Sequence, residues 1–104
     1  MIVTTSDSVA GREIVTTLGV VRGNVVRARF VGTDILAGLR MLAGGEINEY
    51  TKLMAEAREQ AVDRMIRDAQ SVGADAIVAM RLTTSMIMQG SAEILAYGTA
   101  VKLA

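Results

Sequence analysis

The final dozen residues constrain this chain most. From Ala92 to Leu103, apolar side chains fill both alternating sets: Leu95, Tyr97, Val101 and Leu103 on one, Ile94, Ala96, Gly98 and Ala100 on the other. Successive residues of a strand point to opposite faces, and a sheet with one wet face alternates apolar with polar. This segment therefore reads as a strand covered on both faces. The chain has 104 residues, the size of a single domain spanning 1–104, and one long helical pattern. With one long helix to supply one cover, the other is expected from a second subunit.

Composition points the same way. Hydrophobic residues make up 51% of the chain and only three residues are aromatic, Phe30, Tyr50 and Tyr97. A domain of this size buries only about 60–70% of the surface its unfolded chain exposes, so much aliphatic surface is left for an interface. The chain has no Cys, His, Pro or Trp, and its 11 basic residues balance 11 acidic ones. That excludes a disulfide scaffold, a thiolate nucleophile, a Cys/His zinc site and an imidazole base. Zero net charge argues against a polyanion partner, so no nucleic acid is expected. No run approaches the ~18 apolar residues of a membrane span, and the N-terminus lacks a signal-peptide pattern. A cytoplasmic location without a membrane partner is the expectation.

Along the chain, Ile2–Thr5 is a short β-branched run, followed by a loop at Ser6–Gly11. Glu13–Val31 is rich in Val, Ile and Thr and reads as one long bent strand, or as two strands meeting near Gly19–Gly23. Thr33-Asp34 reads as a cap for a short helix carrying Ile35, Leu36, Leu39 and Leu42, which Gly44-Gly45 ends. A long helix follows from Asn48. Tyr50, Leu53, Met54, Ala57, Ala61, Met65, Ala69 and Val72 recur at three- and four-residue steps as its buried stripe. Lys52 with Glu56, Asp63 with Arg67 and Arg64 with Asp68 are spaced for ion pairs on its outer face. Gly73 is placed as the left-handed residue after the helix. Ala76–Met88 and Ala92–Leu103 read as strands joined by a turn at Gln89-Gly90-Ser91.

Seven short stretches, in order, resemble one family: Gly11-Arg12-Glu13-Ile14; Leu18-Gly19-Val20-Val21-Arg22-Gly23; Gly44-Gly45-Glu46; Tyr50-Thr51-Lys52-Leu53; Ala57-Arg58-Glu59-Gln60-Ala61; Gly73-Ala74-Asp75-Ala76-Ile77; and Tyr97-Gly98-Thr99-Ala100-Val101. Together they resemble the YbjQ-like family of small bacterial and archaeal proteins. The resemblance implies an α+β subunit of the β-α-β-β kind, similar to dodecin subunits, with one long helix on an antiparallel-rich sheet. It further implies a ring-shaped homopentamer that extends sheets between neighbours, and it brings a heavy-metal-binding label without an enzymatic activity.

The candidate polar residues are few. Asp34, Glu49, Arg58 and Glu93 are the set from which an intersubunit cluster or a ligand site is expected, with caps and surface ion pairs as the simpler role of such carboxylates. Arg27 and Arg29 share a strand face opposite to Arg22. Met80, Met86 and Met88 share one parity; such methionines bind copper(I) in some proteins and more often fill apolar gaps. Soft metals prefer thiolate and imidazole, so no metal ligand set is assigned, and no catalytic residue or cofactor is expected. The reading is a non-enzymatic homo-oligomer, its partner itself, with a small ligand or ion at subunit clefts. The alternatives are the heavy-metal binding of the family label, or an enzyme using a cleft carboxylate such as Glu49 or Glu93.

Overall fold

A computed structural model describes residues 1–28, 48–88 and 90–104, with the backbone alone for 48–50. The elements run β1 (Ile2–Val3), β2 (Ile14–Ala28), α1 (Asn48–Ser71), β3 (Ala76–Met88) and β4 (Ser91–Leu103). The strands form one sheet in the order β1-β3-β4-β2. β1 is parallel to β3, while β4 is antiparallel to both β3 and β2. The fold is α+β: one helix on a mixed four-stranded sheet, the antiparallel-rich arrangement expected, with the short parallel β1 added at an edge. Among the described residues, no helix is long and apolar enough to cross a membrane.

The segment expected to bend or divide is one strand as far as Ala28. Its irregularities are register shifts between Ile14 and Thr16 and between Thr17 and Gly19. Gly23 marks neither a bend nor a break. A Cβ there would fall on the Ala61 carbonyl oxygen and the Met65 amide nitrogen, and 2.7 Å from Arg64 Cβ, so the missing side chain is what lets α1 lie on β2. The short helix from Thr33-Asp34 to Gly44-Gly45, and Arg29, lie outside the described residues.

The helix ends as its sequence dictates. Gly73 has φ +76°, its N–H bonds to the Gln70 carbonyl at 3.1 Å, and the Ala74 N–H reaches Ala69 O at 3.1 Å, closing the last turn through a left-handed residue. The predicted stripe is buried at Ala57, Ala61, Met65 and Ala69. Val72 departs from it and is exposed: it lies just past Ser71, where the chain has already left the helical period. Of the three expected outer-face ion pairs, Asp63–Arg67 forms, at 2.9 Å. Arg64 and Asp68 turn to the sheet instead. Arg64 Nη1 donates to Asn24 O at 2.7 Å, and Asp68 Oδ2 accepts from the Arg22 N–H at 3.1 Å. These two bonds satisfy outward backbone groups on β2, an edge strand, and so protect that edge from further pairing.

The helix lies over β2 and β4. Its stripe packs against Val21, Val25, Ile77, Ile94, Ala96 and Ala100. The far face of β4 is covered differently from the expectation. Val101 and Leu103 are buried with Ala76 and Val78 beneath Val9 and Ile14, so at this end the second cover is the chain's own N-terminal segment rather than another subunit. Beyond that cover, Tyr97 on the same face is 38% exposed.

β3 crosses from the covered end to the bare one through a distortion. The register shifts between Val78 and Arg81. Within it Ala79 has φ +54°, held by its N–H bond to Ser6 O at 2.8 Å and by the neighbouring Met80 N–H bond to Thr4 O at 3.0 Å. A left-handed L-residue costs about 1–2 kcal/mol, of which glycine's greater unfolded-state freedom returns part. Ala79→Gly is therefore expected to stabilise the fold by up to about 1 kcal/mol, which in a domain of this size raises Tm by roughly 4–8 °C. A lower Tm by calorimetry would contradict this account of the distortion.

Candidate functional site

Three strand ends and the first turns of α1 enclose a cleft of about 280 Å³, lined by Arg27, Leu53, Met54, Thr84, Met86, Ser91 and Ala92. Strand alternation explains the lining. Arg27 has the parity of Val21, Gly23 and Val25, all buried on the helix side, so its guanidinium lies between sheet and helix. Its Nη2 donates to Gln60 Oε1 at 2.7 Å in a part-buried bond. Thr84 and Met86 reach the same side because they pair with Ile94 and Ala92. On the other side of Arg27, a shallow depression is lined by Glu56, Glu59, Gln60 and Asp63. No ion pair joins Arg27 to these carboxylates among the described residues.

A second, open trough of about 300 Å³ runs between α1 and β3, lined by Arg58, Glu59, Val62, Asp63, Ile66 and Leu82. Arg58, expected as a site residue, is on its rim. Glu93 lies elsewhere: it has the parity of Leu95 and Tyr97 on the face away from the helix, and its Oε2 accepts from Asn24 Nδ2 at 3.2 Å. Arg58 and Glu93 are thus on opposite sides of the sheet within one chain. Glu49 is in the first turn of α1 with its side chain outside the described residues, and Asp34 is also outside them. The cleft around Arg27 was not expected. Its signal was present: an arginine in phase with the apolar set of β2.

Met80 and Met86 share the helix side of β3, as their spacing suggested: Met80 packs against the core and Met86 lines the cleft with Met54. A register shift separates Met86 from Met88.

Comparison with known proteins places this architecture. A family model described as "Putative heavy-metal-binding", that of the YbjQ-like family, matches residues 1–104. A UPF0145 protein of Photobacterium profundum is 65% identical over 101 residues, covering 97% of each chain. One from Methanosarcina acetivorans is 55% identical over 103 residues, covering 99% of this chain and 97% of the relative. A crystal structure of a protein with unknown function from the DUF74 family of Pediococcus pentosaceus superposes with a TM-score of 0.63 at 19% identity, over 100% of this chain and 98% of that one. It is similar in fold.

The residues do not fit a heavy metal. Soft ions take thiolate and imidazole, and the chain has no Cys and no His. The two thioethers that share the cleft, Met54 and Met86, share it with the Arg27 guanidinium, whose charge repels a cation. Among the described residues, no three Asp or Glu side chains converge on one point. On the whole-chain match and the identities of its relatives, the chain belongs to the YbjQ-like family of uncharacterised UPF0145 proteins.

Proposed function

We propose that the protein is a non-enzymatic, cytoplasmic homo-oligomer, a ring of five identical subunits built by sheet extension, with small-ligand or ion binding as its chemistry. One observation carries this reading: from Arg81 to Met88, β3 is exposed at all eight positions, including Leu82, Met86, Ile87 and Met88. The helix lies over β2 and β4, and β1 pairs only with Ala76 and Ile77. The distal half of β3 is therefore exposed, its helix-side residues Leu82, Thr84 and Met86 facing only open clefts, and among the described residues no strand pairs with its outer edge. Long, uncharged, apolar edges invite strand addition. The radius of gyration, 17.2 Å, exceeds the about 13 Å of a typical domain of this length, which suits an arm that completes its packing in an assembly.

The edge groups available to a neighbour follow from the ladder. The Arg22 N–H and Asn24 C=O point outward from β2, toward α1, so Val21, Gly23 and Val25 bond inward to their partners Gly98, Ala96 and Ile94. Tyr97, Leu95 and Glu93 then face β3, pairing with Arg81, Thr83 and Ser85. The backbone groups of Leu82 and Thr84 are left pointing outward. In the assembly these two amides bond to a strand of the neighbouring subunit. Hydrogen exchange tests the reading: at micromolar concentration the Leu82 and Thr84 amides exchange as slowly as Thr83, and protection falls on dilution. Fast exchange at every concentration counts against it.

The metal-binding alternative rests on the family description and has neither thiolate nor imidazole to draw on. An enzyme using Glu49 or Glu93 finds no support in the arrangement around Glu93, which is engaged by Asn24.

A further inference from the structure

The cleft around Arg27 has the features of a small-molecule site. It combines an apolar wall of Leu53, Met54, Met86 and Ala92, two hydroxyl residues, Thr84 and Ser91, and one cation. Such a balance of apolar wall and few polar groups is typical of ligand pockets. The cation is partly free: Arg27 spends one N–H on the neutral Gln60 Oε1, and its other donors meet no acceptor among the described residues. A guanidinium has five donors in a fork that matches a carboxylate.

We propose that this cleft binds a short-chain amphipathic monocarboxylate, with its carboxylate on Arg27 and its hydrocarbon tail against Leu53, Met54 and Met86. Three observations select the class. The volume of about 280 Å³, at ~30 Å³ per water-sized group, holds about nine non-hydrogen atoms, which is the size of hexanoate to octanoate. Among the described residues the lining holds one charge, Arg27, beside the Thr84 and Ser91 hydroxyls and an otherwise apolar wall, so the ligand carries its charge at one end. Glu56, Glu59 and Asp63 line the depression on the other side of Arg27, and their charge favours a single carboxylate over a phosphate dianion. Thr84 and Met86 of the lining stand on the half of β3 that the proposed ring covers, so binding and assembly are measured side by side.

Isothermal titration calorimetry with octanoate, hexanoate and octanol tests the site on the full chain. Octanoate binds saturably, roughly fifteenfold tighter than hexanoate at roughly fourfold per methylene. It also binds at least about tenfold tighter than neutral octanol, because a charge-assisted bond to Arg27 is lost with the alcohol. Arg27→Gln abolishes the preference for octanoate over octanol, whereas Leu53→Gln weakens both. Should Arg27→Gln fail to fold, the octanoate–octanol comparison on the unmodified chain and the Arg27→Lys variant still decide the matter. Absence of saturable octanoate binding, or equal affinity for octanoate and octanol, overturns the proposal. Light scattering on the same samples reports the assembly separately, so a dry cleft in an intact ring is distinguishable from a failed ring.

Discussion

Gly23→Val is expected to destabilise the chain by about 3 kcal/mol or more, the upper range for overpacking a filled contact. The argument is one of backbone geometry. A side chain at position 23 would overlap the Ala61 carbonyl oxygen and the Met65 amide nitrogen. Both belong to the helix ladder and cannot rotate away as a side chain can. The helix must lift from β2, and lifting it removes the Arg64–Asn24 and Asp68–Arg22 bonds and opens the cluster around Ala61 and Met65. A nearby position on the other face of the same strand, Val26, is exposed, and Val26→Thr is expected to change stability by less than about 0.5 kcal/mol. Urea unfolding followed by circular dichroism compares the two. A Gly23→Val midpoint equal to that of the unmodified chain would mean that helix and strand are not in the close contact described.

The second large effect concerns assembly rather than folding. Thr84→Pro removes an N–H that the ladder leaves pointing outward, and proline is tolerated on an edge strand in that orientation. Within one chain it is expected to cost about 1 kcal/mol or less, since no ladder bond is lost. In the proposed ring it deletes a bond to the neighbour and places a ring where that strand must lie, so the assembly dissociates. Thr83→Pro, one residue earlier, is the control. It removes an inward N–H between β3 and β4 and is expected to damage the fold itself. A Thr84→Pro protein that stays assembled, or that unfolds as readily as Thr83→Pro, would show that β3 does not use its outer edge in this way.

Much of the architecture follows from local pattern. The stripe Ala57, Ala61, Met65 and Ala69 fixes which side of α1 meets the sheet, and Gly73 fixes where the helix stops. The two-sided apolar character of Ala92–Leu103 marks β4 as covered on both faces, and the structure places it centrally, between β2 and β3. What covers its far side was not readable, because Val9 and Ile14 come from a loop whose path no periodicity describes. Gly23 illustrates a similar limit. A strand glycine signals either a bend or a close approach, and only the position of the helix decides between them. Arg64 and Asp68 have ion-pair spacing, but the unpaired backbone of β2 competes for both. Of the polar residues singled out, Arg58 and Glu93 occupy opposite sides of the sheet, because Glu93 has the strand parity of the far face while α1 carries Arg58 over the near one. Arg27 shares a strand face with Arg29 by spacing, and its phase with Val21 and Val25 puts it in a cleft.

The assembly claim is tested most directly by the mass of the particle in solution. Multi-angle light scattering across a size-exclusion peak, at micromolar protein, is expected to return five copies of the 11.0 kDa chain, about 55 kDa, as one closed species. A single 11.0 kDa peak at that concentration would contradict it, and would leave the bare half of β3 without the partner that explains it.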